Sequence, residues 1–237
     1  MRKVQFANDC LYHVYNRGTE KRKIFLEDKD YFRFIHDLYE FNNPLTVFNV
    51  NYRFNREHQS GPEYGGRTSI GDSIDGSERL VDIIVFCLMP NHFHLILRQI
   101  KEDGIPKFMQ KLGTGYTMYF NQKYKRNGVL FQGKFKAILI NKDEYLLLLA
   151  NYIHLNPMEL LESGWKKHGI KSRRKALEFL EKYRWSSYLD YINIKNFPSV
   201  INKNFLMNYY QNKKDYEKYL MNDLIRDLDK IDKIKID

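Results

Sequence analysis

The chain has 237 residues, 43% hydrophobic and 15% aromatic, enough for one core of roughly 100 to 200 residues, which excludes a wholly disordered polypeptide. Lys and Arg number 39 against 29 Asp and Glu, a formal net charge of +10 that favours a polyanionic partner through release of counterions from phosphates. A mean hydropathy of -0.59, with no apolar run near the ~18 residues a bilayer span requires, excludes an integral membrane protein.

Cys10 to Asn16 is rich in β-branched and aromatic residues and is closed by Arg17-Gly18-Thr19, so a first strand is expected there. Asp28-Lys29-Asp30 then precedes Tyr31, Phe32, Phe34, Ile35, Leu38 and Tyr39 at helical spacing, and Asn42-Asn43-Pro44 ends the pattern. From about Tyr52 to Arg79, Gly, Ser, Asp, Glu and Arg dominate without apolar period, which reads as a long mobile loop inserted within a domain. Val81 to Leu88 is an apolar run of strand length, Met89-Pro90-Asn91 turns the chain, and His92 to Leu97 alternates as a second strand of a hairpin.

Asp103 to about Tyr124 reads as a helix with Ile105, Phe108, Met109, Leu112, Tyr116, Tyr119 and Phe120 on its apolar face, broken by Asn127-Gly128. Phe135 to Ile140 is strand-like, and Glu144 to about Asn156 is an apolar helix stopped by Pro157. Strand, helix, strand, strand, helix, strand is the split βαβ order. The fold class expected is therefore α+β: a ferredoxin-like antiparallel sheet with helices on one face, plus a helical C-terminal extension. The first domain is expected over 1–160. The extension, 161–237, starts with a basic stretch, Lys166 to Lys175, and ends from about Asn204 in an amphipathic pattern.

The two cysteines, Cys10 and Cys87, sit in apolar surroundings, and no apolar segment follows the basic start Met1-Arg2-Lys3. Free thiols, no secretory signal and a reducing, cytoplasmic location are the expectation.

Candidate chemistry centres on His92-Phe93-His94. The strand period of two sends both imidazoles to one face, where they can bind one divalent cation as neighbouring ligands. The same pair is also compatible with an ordinary polar strand face. In Tyr152-Ile153-His154-Leu155-Asn156-Pro157, residues four apart share a helix face, so Tyr152 and Asn156 project together. The amide oxygen of Asn156 can complete a hard-metal site, with the phenol of Tyr152 in reach as a nucleophile for phosphodiester cleavage. The chain has 18 tyrosines, and most must be packing residues.

Four segments carry a family resemblance: Cys87 to Leu97 with its His-Phe-His; Phe108 to Gly113 with Tyr116 and Tyr119-Phe120-Asn121; Gly128 to Lys136; and Tyr152 to Pro157. In this order they resemble single-tyrosine transposases, in particular the REP-associated tyrosine transposases, over about residues 8 to 190. The resemblance implies a catalytic core that binds a single-stranded DNA hairpin, a repetitive palindrome or element end, and cuts beside it with Mg2+ or Mn2+. It implies Tyr152 as nucleophile forming a 5′-phosphotyrosine, and His92, His94 and Asn156 as metal ligands. Tyr116, Tyr119 and Tyr145 are then decoys. A monomer or a dimer is compatible with it, as is a nucleoid-associated role; no small-molecule cofactor is implied. The insert at 52–79 is longer than the resemblance leads one to expect.

Basic residues interleaved with aromatics suit single-stranded DNA, since cations hold phosphates and rings stack on bases. On this basis Lys123, Arg126, Lys134 and Lys136 are candidate DNA contacts, with Arg98 at the end of the histidine strand and Arg173 and Arg174 in the basic stretch. Two other readings use the same fold: a non-catalytic single-stranded DNA or RNA-binding protein, and a metal-dependent hydrolase using water, which has no need of Tyr152.

Overall fold

The computed structural model describes residues 4–45 and 79–226, with side chains to residue 222. The expected insert, Arg79 apart, and the end of the C-terminal tail lie outside the described residues. Four strands, β1 (Leu11–Arg17), β2 (Val81–Met89), β3 (His92–Gln99) and β4 (Lys136–Ile140), form one antiparallel sheet in the order β2-β3-β1-β4. This is the split βαβ topology expected from the sequence. The helices within it are α1 (Asp28–Glu40), between β1 and β2, and α2 (Gly104–Lys123), between β3 and β4.

Alternation along the strands decides what each face does. Phe93, Leu95 and Leu97 point to the side covered by α1 and α2, where the Phe34 and Phe93 rings lie 5.0 Å apart. The opposite face carries His13, Tyr15, His92, His94 and Ile96. It is covered by α3 (Asp143–Leu155), which buries Leu146, Leu149, Ala150 and Ile153. The two helices of the split repeat thus share one face, and the helix bearing Tyr152 takes the other.

The C-terminal extension runs through α4 (Met158–Leu161), α5 (Trp165–His168), α6 (Arg173–Leu180), α7 (Tyr188–Tyr191), α8 (Lys203–Met207) and α9 (Lys213–Arg226). It packs into the same hydrophobic cluster as the sheet, contributing Trp165, Tyr188, Tyr191 and Tyr216. β2 is one of the two edge strands, yet every one of its residues is buried. The extension accounts for this: Leu88 N donates to Trp185 O at 2.9 Å and Ser187 N to Phe86 O at 3.0 Å, so the edge is paired and covered.

The β2–β3 turn is held from β1. Gly18 N donates to Asn91 O at 2.8 Å, and a Cβ at Gly18 would stand 2.2 Å from Arg22 O, so only glycine permits this approach.

Candidate active site

His92 and His94 project from one face of β3 with ring centroids 5.0 Å apart and planes nearly perpendicular. His92 is half-buried, and its Nδ1 lies 2.7 Å from Asn91 Oδ1. Asn91 Nδ2 in turn donates to Lys21 O at 3.3 Å, which settles which amide atom faces the imidazole. An amide oxygen only accepts, so Nδ1 of His92 carries a proton, and in the neutral ring the lone pair is on Nε2.

His94 is buried, and its Nδ1 lies 3.0 Å from Nε2 of His13 on β1. Register explains the meeting: Tyr15 stands opposite His94, and His13 is one pleat along on the same face. Burial pushes the His94 imidazole well below its usual pKa, and neighbouring His92, His13 and Lys166 push it the same way. His13, also buried, is lowered to about 3 by desolvation. Both rings are therefore neutral near pH 7. When the shared proton sits on Nδ1 of His94, its Nε2 is unprotonated as well. Metal-ligating histidines are typically arranged this way, the second nitrogen fixed by a hydrogen bond.

Tyr152 lies on α3 with its ring edge-on to His94, centroids 6.2 Å apart. It is 4% exposed, and its hydroxyl accepts a hydrogen bond of 2.8 Å from Lys166 Nζ. Asn156 follows one turn later as the C-cap of α3, with helical backbone angles that keep it in phase with Tyr152. It is buried, and its Nδ2 has no hydrogen-bond partner. Such an unpartnered amide fits a ligand role, because no hydrogen bond of that nitrogen fixes its orientation. Among the described residues no group of three or more His, Cys, Asp or Glu side chains is placed to hold a metal ion. The candidate ligand set is two imidazoles and one amide.

The remaining tyrosines of the motifs are structural. Tyr116 is fully buried with its hydroxyl on Ile24 O at 2.6 Å, and Tyr119 bonds Asp30 at 3.0 Å. His154, inside the Tyr152 motif, faces away from the site: it bonds Ser187 Oγ at 2.7 Å and the Tyr216 hydroxyl.

The basic candidates divide. Lys123 bridges Glu27 at 2.7 Å and the buried Asp30 at 2.5 Å, and Arg98 pairs with Asp82 at 2.5 Å and lies over the Phe205 ring. Arg126 is engaged with Asn121 at 2.8 Å. Lys134, Lys136, Arg173 and Arg174 are exposed, Arg174 pairing with Glu178. Lys134 also lines a groove of about 890 Å³ with Asn16, Gln110, Thr117 and Phe131, on the face away from the histidines. Two residues at the site escaped the sequence reading, His13 and Arg17, which stands opposite His92 in the β1–β3 register, and Lys166 entered it only as the start of the basic stretch.

The model of the family described as "Transposase IS200 like" matches residues 74–156, the segment that holds His92, His94, Tyr152 and Asn156. That segment is similar to the IS200-like transposases. A solved structure described as "Structure of the REP associates tyrosine transposase bound to a REP hairpin" is similar to 84% of this chain and 88% of that one, at 12% identity and a TM-score of 0.45. No curated protein matches the chain in sequence. No helix among the described residues is long and apolar enough to cross a membrane.

Proposed function

We propose that this chain is a metal-dependent, single-tyrosine DNA endonuclease and strand transferase acting at hairpins of single-stranded DNA. The observation that carries the proposal is the contact of Tyr152 with His94, beside His92 on a sheet face where both imidazoles have Nδ1 tied by hydrogen bonds. The family match over residues 74–156 supports it, since it spans these residues.

In this reading Oη of Tyr152 attacks a phosphorus of the strand. The phenol proton passes to solvent, the Oη–P bond forms as the P–O3′ bond breaks, and the 3′ oxygen leaves with its electron pair and is protonated by solvent. The 5′-phosphotyrosine preserves a phosphodiester, so attack by another 3′-hydroxyl rejoins DNA and releases Tyr152. His92, His94 and Asn156 would hold Mg2+ or Mn2+. When bound, the ion supplies Lewis acidity to a non-bridging phosphoryl oxygen. Exposed Lys134, Lys136, Arg173 and Arg174 contribute to the field that gathers the strand.

Incubation with a labelled hairpin oligonucleotide and Mg2+ or Mn2+ should give a denaturation-resistant protein–DNA adduct, and Tyr152→Phe should lose the adduct while still binding. Cleavage by Tyr152→Phe would sink the nucleophile. Binding by the wild type with no cleavage of any hairpin would establish a binding module instead.

A further inference from the structure

Lys166 lies outside every motif of the family resemblance, yet it is the residue that touches the nucleophile. Its ammonium donates to Tyr152 Oη at 2.8 Å and sits 4.6 Å from the centre of the Tyr152 ring. It is close enough to His94 to add to the depression of that imidazole's basicity.

Its place is built. After α3 ends, the chain passes through α4 and turns at Gly164 in the left-handed region, φ +76, a conformation glycine adopts without strain. Trp165, wholly buried, then anchors α5, and the next residue is carried back over Tyr152. Lys166 is half-buried, so its charge is less screened than that of a surface lysine.

The chemistry follows from the direction of the bond. Among the described residues Lys166 is the sole hydrogen-bond partner of the Tyr152 hydroxyl, and an ammonium is a donor with no lone pair. The phenol therefore faces a cation and no general base. We infer that Lys166 is a second catalytic residue, which stabilises negative charge on Oη of Tyr152 both when that oxygen attacks phosphorus and when it departs.

This rests on Tyr152 being the nucleophile. In cleavage Tyr152 loses its proton to solvent, and the Lys166 ammonium holds the phenolate until Oη–P bonding consumes the charge. An in-line displacement sets the leaving 3′ oxygen on the far side of phosphorus, out of reach of a group bonded to Oη, so Lys166 does not protonate it. In rejoining, the Oη–P bond breaks, the electron pair returns to Oη, and the same ammonium receives it. One donor acting at one oxygen in both directions slows both steps when it is removed.

The test uses the full chain, a labelled hairpin oligonucleotide and Mn2+, with Lys166→Met and Lys166→Arg. Both variants are first checked for wild-type far-ultraviolet circular dichroism and hairpin affinity. Adduct formation, and rejoining started by an added 3′-hydroxyl oligonucleotide, are then timed in single turnover. Lys166→Met should slow both steps about 10²-fold, the usual cost of removing one donor from a developing oxyanion, with binding unchanged. Lys166→Arg should restore most of the loss. Incorporating 3-fluorotyrosine at position 152, whose phenol is more acidic, should shrink the effect of Lys166→Met. Wild-type rates in Lys166→Met, or a loss that fluorotyrosine leaves unchanged, would overturn the role of Lys166 alone. Absence of any adduct in the wild type would remove the nucleophile, and the role of Lys166 with it.

Discussion

Acid should destabilise this protein through histidines that are buried without charge. His154 is the cleanest case. It is 0% exposed, bonds Ser187 and Tyr216, and burial lowers its pKa to about 3. In the unfolded chain the same ring titrates near 6.5. Between those values the unfolded state binds a proton that the folded state refuses. The stabilising contribution is therefore complete above about pH 6.5 and declines by about 1.4 kcal/mol per pH unit as the pH falls towards 3. By pH 5 that is roughly 2 kcal/mol for His154. His13, also lowered to about 3, contributes a parallel loss. Asp37 opposes them: burial pushes its carboxyl up to about 6, so between there and its unfolded value the folded state binds the extra proton and gains as pH falls. The wild-type slope is thus a sum of opposed terms, and the informative quantity is a difference. His154→Gln should show a stability-versus-pH slope about 1.4 kcal/mol per unit shallower than wild type between pH 6 and 5, whatever its absolute stability. Urea unfolding followed by fluorescence of Trp165 and Trp185 measures it. Equal slopes in the two proteins would refute the claim that His154 is held neutral.

The hydrogen bond from β1 should matter to the metal. His13→Ala frees Nδ1 of His94 and should weaken Mn2+ binding about 10- to 100-fold, read by electron paramagnetic resonance of free Mn2+; unchanged affinity would mean that His13 does not orient the ligand. Lys123 and Arg173 should separate stability from DNA binding. Lys123→Met leaves buried Asp30 without its ammonium and should cost about 1–3 kcal/mol of stability without changing the salt dependence of hairpin binding. Arg173→Ala should leave stability alone and reduce the salt slope by up to about one unit, the share of one phosphate contact, with salt titrations of the two variants reversing if the assignment is wrong.

What the sequence could reveal was whatever lies within one element. His92 and His94 are related by the strand period and Tyr152 and Asn156 by the helix period, so both pairs are visible as spacings, and the strand–helix order is visible from the alternation around them. Partners brought together by tertiary structure are not. His13 reaches His94 only through the β1–β3 register, and Lys166 reaches Tyr152 only because the chain reverses at Gly164. The same blindness inflates the basic candidates. Lys123 and Arg98 look like phosphate contacts because nothing local shows that Asp30 and Asp82 stand against them. His154 has the reverse problem: a motif gives it company with Tyr152, while the helix period turns it away into the core.

The segment matched by the family model ends at Asn156, yet the position of Tyr152 is set by residues beyond it. The Ser187 hydroxyl accepts from Phe86 N on β2 at 3.0 Å and lies 2.7 Å from His154 Nε2 on α3, so one side chain from the extension ties the tyrosine helix to the sheet. Cys87, next to Phe86, is the register partner of His94. The separation of Tyr152 from His94 is therefore referred to a single strand through the extension, and in-line attack tolerates errors of only about 1 Å. Residues 1–160 contain the proposed nucleophile and all three proposed ligands but lack Ser187, Tyr216 and the segment that pairs the edge of β2. Truncated there, the chain should lose adduct formation, because the exposed β2 edge and the unpartnered His154 leave α3 without a fixed seat. Full-rate adduct formation by residues 1–160 would show that packing of α3 on the sheet is enough to place Tyr152, and that the extension serves something other than its position.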